Sequence, residues 1–376
     1  KIVLIHNKSI KFNQSLIPIN IQGPALILQS SGSINKPKLC IHSISNVNKS
    51  AQSTGLWLKE QGFNLEECII FNTLPLHHIS GFMPLWRSQF WNCDYINISP
   101  HLIKNTKDLM NFSLSINNIH KKKLITSLVP TQLFRLLKEK DGLNWLKMFD
   151  LIWVGGAIMS NNLFETCKKE KINLATCYGT TETAAMISSL KPHEFLNGNT
   201  SYGCILKDIQ VRINKEGIIE VKTDRIGLEL ESPSNIKCFT NDNGWWESGD
   251  YGKLMKIDNI KYLQVMGRKD NAFQSGGETV FPDLINSRIN EFIFDKKIPI
   301  HDFMISKIDD SIWGNRYEIT VYFKNYLSSG DIKKSITLLN DFSKTWPNHE
   351  RPKDWIISKN KYKPIKSISN NWKINF

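Results

Sequence analysis

Long apolar runs, paired cysteines and acidic side chains are all scarce in this chain, and each shortage removes a class of explanation. No stretch of the 376 residues approaches the roughly 20 apolar residues that a bilayer-spanning helix needs. Nor does a charged, apolar and small-residue leader open the chain, so the expectation is a cytoplasmic protein with no membrane span. The seven cysteines (Cys40, Cys68, Cys93, Cys167, Cys177, Cys204 and Cys238) are odd in number, widely spaced and without a C-x-x-C pair. That pattern argues against a disulfide framework and against a zinc site. Aspartate and glutamate total 35 against 48 lysines and arginines, a net charge of +13, which invites a nucleic-acid reading. The excess is mostly lysine, however, scattered through a chain also rich in Asn and Ile, with only short clusters such as Lys121-Lys122-Lys123. A solvated surface explains it more simply, and no nucleic-acid partner is expected. The same field would draw in a small anionic substrate.

What is present is an ordinary globular composition, 41% hydrophobic and 22% charged, in a chain long enough for two or more domains. Ala25-Leu26-Ile27-Leu28 reads as a buried strand feeding the polar loop Gln29-Ser30-Ser31-Gly32-Ser33. Short apolar runs at Cys68 to Phe71, Leu124 to Val129 and Leu151 to Val154 are each followed by Pro or Gly punctuation. Between them lie helical patterns such as Thr131 to Lys140, with Leu133, Phe134, Leu136 and Leu137 on one face. Strands alternating with helices predict a mostly parallel α/β sheet. Near Tyr202 the texture changes: Ile209 to Ile213 and Ile218 to Lys222 alternate at period two around Glu216-Gly217, predicting antiparallel sheet or a small barrel. After Gly267 to Asp270, helix-like stretches at Pro282 to Phe292 and Asp331 to Lys344 flank a strand at Tyr317 to Phe323. That pattern predicts a separate small α+β domain.

The most informative five residues are Tyr178-Gly179-Thr180-Thr181-Glu182. A ring can stack on a base, Gly lets backbone approach a phosphate, and threonine hydroxyls can donate to phosphate oxygens. Glu182 can hold Mg²⁺, which prefers one or two carboxylates plus substrate phosphates. A Thr-rich turn after a strand is the plain alternative. Ser30 to Lys38 is a hydroxyl-rich loop with two lysines but without Walker spacing, so any grip on phosphate rests on hydroxyls, backbone N–H groups and ammonium charge. A surface loop reads equally well. Asn243 to Asp250 sets a carboxylate beyond a Gly turn, where Asp250 could take both ribose hydroxyls, and Arg268 could be a further ribose or phosphate contact. Their alternatives are a turn aspartate and a paired arginine.

Taken in order, these segments resemble the adenylate-forming superfamily of acyl-CoA synthetases, luciferases and peptide-synthetase adenylation domains, from Gln29 to the C-terminus. Its phosphate loop is similar to Ser30 to Lys38, its Tyr-Gly-x-Thr-Glu motif to Tyr178 to Glu182, and its Thr/Ser-Gly-Asp motif to Ser248 to Asp250. Its Gly-Arg-x-Asp hinge is similar to Gly267 to Asp270, and its Ser-Gly-Gly-Glu segment to Ser275 to Glu278. Within the superfamily, Pro75 to Gly81, Trp86-Arg87, Ser127 to Leu133 and Gly267 to Asn271 with Phe273 resemble the o-succinylbenzoate–CoA ligases of menaquinone and phylloquinone synthesis. That substrate carries two carboxylates, of which one is activated, and a buried guanidinium such as Arg87 could fork onto the other. A surface or helix-end arginine is the alternative for Arg87.

The resemblance implies an α/β fold: a large N-terminal domain with a small β-barrel-like subdomain over residues 1–269, then a small mobile α+β domain over 270–376. Asp270 would be the hinge. It implies an acid–thiol ligase using ATP, Mg²⁺ and coenzyme A, with an aromatic dicarboxylate as the acyl substrate and homodimers among its possible states. Ser30, Ser31, Gly32, Ser33, Lys38, Gly155, Gly156, Ala157, Tyr178, Gly179, Thr180, Thr181, Asp250 and Arg268 would bind the nucleotide. His78, Ser80, Gly81 and Arg87 would meet the acyl group, although His78 reads equally as a core histidine. Glu182 would hold Mg²⁺, with Thr181 beside it in catalysis. Asn370 to Ile374 resembles the family's Gly-x-Lys-Ile ending, which selects Lys373 as the catalytic lysine over Lys363 and Lys366. Ser275, Gly276 and Gly277 would leave room for the pantetheine arm.

Three departures accompany the likeness. Ile34-Asn35 replaces the usual Thr-Gly of the loop, and His77 stands where the family often has an aromatic residue. Fewer than thirty residues precede the loop, and the chain begins at Lys1, so the expectation is either a reduced first subdomain or a truncation. Another acyl- or aryl-CoA ligase, a carrier-loading adenylation domain and a non-catalytic nucleotide-binding relative remain alternatives at this stage.

Overall fold

The structure, a computed structural model, describes residues 2–4, 23–29, 38–232, 234–324, 327–358 and 371–372. The chain divides into two compact units, residues 1–157 with 163–265 and residues 158–162 with 266–376. Among the described residues no helix is long and apolar enough to cross a membrane.

The parallel α/β reading holds in the first unit. Asp94–Asn97, Cys68–Asn72, Lys123–Leu128, Leu151–Val154 and Leu174–Thr180 lie side by side, each pair parallel. Cys68–Asn72 and Leu151–Val154 are buried at every position, as strands covered on both faces must be, and so read as unbroken apolar runs. The helix expected over Thr131 to Lys140 runs from Pro130 to Leu137, and a second helix, Lys140–Leu146, follows. Proline at the first helical position suits a start there, because its missing N–H has no intrahelical partner in any case.

The antiparallel region beyond Tyr202 extends this sheet. Ala185–Ser189, Cys204–Ile205, Ile260–Arg268, Trp246–Ile257, Ile218–Lys222 and Gln210–Ile213 continue it to eleven described strands. Of the two forms expected there, open antiparallel sheet is the one found. Leu228–Ser232 and Asn235–Cys238 instead join Ala25–Gln29 and Leu39–Ser43 in a five-stranded sheet. That pairing brings residues distant in sequence to one corner, with Leu39 to Ile41 beside Leu228 to Leu230. The turn at Thr181 and Glu182 is tied to that corner through His42 and Gly227.

The second unit is α+β, as its sequence pattern implies. Ile300–Asp310 and Gly314–Phe323 form a long hairpin, and Trp355–Ile357 pairs in parallel beside it. The helices Pro282–Asp295 and Ser329–Ser343 share a core with them, in which the rings of Phe292 and Phe342 stack 4.0 Å apart.

Candidate functional site

Tyr178, Gly179 and Thr180 end the strand Leu174–Thr180, and the chain reverses through residues 181–184 into its antiparallel neighbour Ala185–Ser189. Gly179 is required, since a Cβ there would lie 2.3 Å from the carbonyl oxygen of Ala185. The reversal is tight enough to place Ala184 and Ala185 at φ of 52° and 84°, a region that residues with a side chain rarely visit. Tyr178 is buried, and its hydroxyl donates to Asp250 Oδ2 at 2.6 Å. The Asp250 amide in turn donates to Ser248 Oγ at 3.1 Å. The fold therefore joins two predicted nucleotide residues that are 72 positions apart.

Glu182 sits in a turn whose flanking carbonyls are both held. The carbonyl of Thr181 accepts from His42 Nε2 at 2.7 Å, and that of Glu182 accepts from the Gly227 amide at 2.8 Å. His42 is wholly buried, and burial, with the Arg225 charge as a lesser cause, pulls its pKa down to about 4 despite the hydrogen bond to Thr181. Because a carbonyl can only accept, Nε2 carries the proton, and Nδ1 is left without a hydrogen-bond partner among the described residues. Among those residues no cluster of three or more His, Cys, Asp or Glu side chains could cage a metal. The local donors are the Glu182 carboxylate and the Thr180 and Thr181 hydroxyls, a set suited to Mg²⁺ shared with substrate phosphates.

Gly155, Gly156 and Ala157 follow the buried strand Leu151–Val154. A Cβ on Gly155 would stand 2.9 Å from the Cys177 carbonyl oxygen, and Gly156 has φ of 81°. Lys38 is ion-paired to Glu229 at 3.1 Å. Ser30, Ser31, Gly32 and Ser33, the Ile34-Asn35 departure, and Lys363, Lys366 and Lys373 lie outside the described residues.

The predicted acyl residues cluster on the helix Ile79–Trp91. His78 precedes it in extended conformation and is half-buried, so it is not a core histidine; burial and then the neighbouring His77 lower its pKa. Ser80 is exposed and Gly81 buried. Gly81 allows the turn before the helix to fold back, since a Cβ there would lie 2.1 Å from the Pro75 carbonyl oxygen. Arg87 is buried, with 3% of its surface accessible, which sets aside the surface alternative. Its Nε and Nη2 find no hydrogen-bond acceptor among the described residues. Its guanidinium carbon lies 5.1 Å from the centre of the Trp153 ring. Burial lowers its pKa to about 10, and the Arg225 charge adds to the fall.

Sequence reasoning missed three residues that shape this unit: His42, Asn72 and Arg225. Asn72 donates to the Gly81 carbonyl at 3.0 Å and accepts from the Leu74 amide at 3.1 Å, fixing the start of the Arg87 helix. Arg225 is fully buried, with Nε 2.9 Å from Asp208 Oδ2 and Nη2 donating to the Met186 carbonyl at 2.8 Å. The Nε contact is Coulombic, off the N–H axis, because Nε makes no aligned hydrogen bond. A polar residue inside an apolar run was the signal for Asn72, which closes Cys68-Ile69-Ile70-Phe71.

In the second unit Arg268 Nη2 lies 3.3 Å from Asp270 Oδ2. Ser275 is buried at the end of a short strand paired with Glu278–Val280. Gly276 and Gly277 form the turn between them at φ of 59° and 86°, and a Cβ on Gly276 would lie 2.4 Å from the Trp313 ring.

Residues 6–227 match the family model described as AMP-binding enzyme. A 2-succinylbenzoate–CoA ligase of Geobacillus sp. (strain WCH70) is 27% identical over 299 residues, 77% of this chain and 57% of the relative. The enzyme of the same name from Listeria monocytogenes serovar 1/2a is 28% identical over 336 residues, 85% of this chain and 67% of the relative. The chain thus spans 57% and 67% of the length of these two curated relatives. Among solved structures, o-succinylbenzoate CoA synthetase from Bacillus subtilis, in complex with its acyl-adenylate intermediate, superposes with a TM-score of 0.67 at 22% identity. The overlap covers 89% of this chain and 65% of that one. The same synthetase in complex with ATP and magnesium ion gives 0.67 over 89% and 66% at 22% identity. These likenesses fix the fold as the mixed α/β architecture of adenylate-forming enzymes. With the family model matched over residues 6–227, more than half of its length, the chain belongs to the AMP-binding enzymes.

Proposed function

We propose that this chain catalyses the ATP-dependent ligation of o-succinylbenzoate to coenzyme A through an acyl-adenylate, a step of menaquinone or phylloquinone synthesis. The observation that carries the reading is Arg87, a buried guanidinium with no acidic partner among the described residues. An uncompensated buried charge is costly, and a ligand carboxylate would relieve the cost by taking up the fork. The names of the curated relatives supply the substrate.

In this reading Tyr178 offers its ring to adenine while its hydroxyl keeps Asp250 in place for the ribose hydroxyls. Gly155, Gly156 and Ala157 form the wall between adenine and acyl group, and the Thr180 and Thr181 hydroxyls donate to phosphate. Glu182 holds Mg²⁺, which when bound neutralises charge on the phosphates. The free aliphatic carboxylate of the substrate attacks the α-phosphorus and pyrophosphate departs. Arg87 keeps the second carboxylate away from the reacting centre, with His78, Ser80 and Gly81 lining the same region. Lys373 is the proposed cation for this step. Residues 270–376 are the proposed mobile domain, turning at Asp270 to bring Ser275, Gly276 and Gly277 to the pantetheine arm. The CoA thiolate then attacks the activated carbonyl and AMP leaves. Arg268 completes the nucleotide contacts. The compartment implied is the cytoplasm, where ATP and free CoA are held, and a homodimer is compatible with the reading.

The test is pyrophosphate release on mixing the chain with ATP, Mg²⁺ and o-succinylbenzoate. Release that depends on the acid supports the reading. Release with monocarboxylic aryl acids and none with o-succinylbenzoate assigns a different acyl-CoA ligase, and ATP binding without release with any acid assigns a non-catalytic relative.

A further inference from the structure

Glu182 lies in a turn between antiparallel strands, two residues before the first of two alanines at positive φ. Strain of this kind persists only where the surroundings over-determine it, and here they do. Ser50 Oγ holds the Ala184 carbonyl at 2.5 Å. On one side of Glu182, the Thr181 carbonyl accepts from His42 Nε2 at 2.7 Å and from the Ala184 amide at 3.2 Å. On the other, the Glu182 carbonyl accepts from the Gly227 amide at 2.8 Å. The two clamps are packed together: a Cβ on Gly227 would stand 2.8 Å from His42 Cε1 and 2.7 Å from Cys40 Sγ. Glycine at 227 therefore lets the imidazole and the second backbone donor reach adjoining peptides. His42 and Gly227 both arrive through the five-stranded sheet, where Leu228 pairs with Ile41. The strand that follows the hydroxyl-rich loop is thereby tied to the Glu182 turn.

We propose that His42 is a positioning residue for Glu182: its Nε2–H, together with the Gly227 amide, fixes the peptides on either side of the metal-holding carboxylate. The proposal rests on the reading of Glu182 as that carboxylate. A group that orients a ligand is worth about ten- to a hundredfold in metal affinity. Leucine removes the donor, whereas glutamine can offer an amide N–H at the place of Nε2.

The experiment measures Mn²⁺ binding to the chain in the presence of ATP, by the fall in the spectrum of free Mn²⁺, alongside the Mg²⁺ concentration for half-maximal pyrophosphate release. The His42→Leu chain is expected to bind Mn²⁺ roughly tenfold more weakly and to need roughly tenfold more Mg²⁺. His42→Gln should stay within about threefold of the natural chain, as the hydrogen bond is kept. Unchanged Mn²⁺ affinity in His42→Leu with a lowered melting temperature overturns the proposal, because His42 then only packs. Equal losses in the Leu and Gln variants overturn it too. If His42→Leu does not fold, His42→Asn, whose shorter amide stops short of the Thr181 carbonyl, is read by the same criteria. Glu182→Gln separates the two claims: natural Mn²⁺ affinity there removes the reading of Glu182, and this proposal with it, while a loss there beside an unaffected His42→Leu removes the proposal alone.

Discussion

Arg87 and Arg225 lie in the same unit, are 3% and 0% exposed, and have both been pushed by burial to a pKa of about 10. Their surroundings differ. Arg225 has a counter-ion in Asp208 and a carbonyl acceptor in Met186, although its Nε and Nη1 make no aligned hydrogen bond among the described residues, and its own carbonyl accepts from Asn46. Arg87 has the face of Trp153 and no acceptor for Nε or Nη2 among the described residues. A cation with a counter-ion in its own chain serves the fold, whereas one without is disposed to take an anion from outside. Arg225 also raises the stakes at Arg87, since its charge adds to the fall in the Arg87 pKa.

The largest effect that would sharpen this contrast is on stability. Replacing Arg225 by methionine leaves the Met186 carbonyl without the Nη2 donor, while Asp208, with 36% of its side chain accessible, turns to solvent. Giving up a charge-assisted hydrogen bond and leaving its buried acceptor unpaired costs about 3 kcal/mol or more, so Arg225→Met should lower the denaturant midpoint strongly. A midpoint equal to that of the natural chain would mean that the Asp208 pair holds nothing together.

Next in size is a pH effect in the Arg225 region. His42 has a folded pKa of about 4 against an ordinary 6.5, with burial the main cause and Arg225 a lesser one. Above pH 6.5 both folded and unfolded chains carry it neutral, so its contribution is fully present there. As pH falls from about 6.5 to about 4 the unfolded chain takes the proton first, and stability declines by about 3 kcal/mol. Urea melts across that range should show a decline in the natural chain that is smaller by this amount in His42→Gln. Parallel curves for the two chains would mean that His42 is not held neutral.

At Arg87 the expected signature is the reverse of that at Arg225. Arg87→Met exchanges an unpaired buried charge for an apolar chain of similar length, so the melting midpoint should hold or rise. The concentration of dicarboxylate giving half-maximal pyrophosphate release should rise roughly a hundredfold, the worth of a charge-assisted pair at about 2–3 kcal/mol. Dicarboxylate should also raise the melting temperature of the natural chain and not of the variant. A destabilised variant with an unaltered half-maximal concentration would make the two arginines alike and remove the distinction.

How much of this was legible in sequence follows from the range of each signal. The parallel strands read correctly because burial on both faces writes an unbroken apolar run, as in Cys68 to Phe71. The Tyr178 turn and Asp250 were legible as motifs, their hydrogen bond was not, since 72 residues separate them. Arg225 and His42 were invisible for a related reason: His42 sits in a short strand of mixed polarity and Arg225 in a turn between two strands, and their burial comes from long-range contacts that no local pattern announces. Arg87 was legible as a candidate because Trp86-Arg87 belongs to a recognisable segment, while its burial came only with the fold. The open antiparallel extension could not be told from a small barrel, because period-two alternation records which face is covered and not whether a sheet closes.

The smallest expected effect probes what accompanies the unpaired guanidinium. Trp153 offers its ring to Arg87 at 5.1 Å and donates from its indole N–H to Ser189 Oγ at 3.2 Å. Phenylalanine at 153 keeps a ring but with a weaker face, and loses the N–H. A partly desolvated cation–π contact is worth about 0.5–2 kcal/mol, and only part of it is lost, so Trp153→Phe should raise the half-maximal dicarboxylate concentration about threefold. Stability should fall by about 1 kcal/mol through the lost hydrogen bond. The informative quantity is the coupling between the two sites. If Trp153 acts by orienting Arg87, the threefold effect disappears when Trp153→Phe is combined with Arg87→Met, while the stability cost persists. If the two losses multiply, Trp153 meets the dicarboxylate in its own right, and the cation of this region acts without help from the ring beneath it.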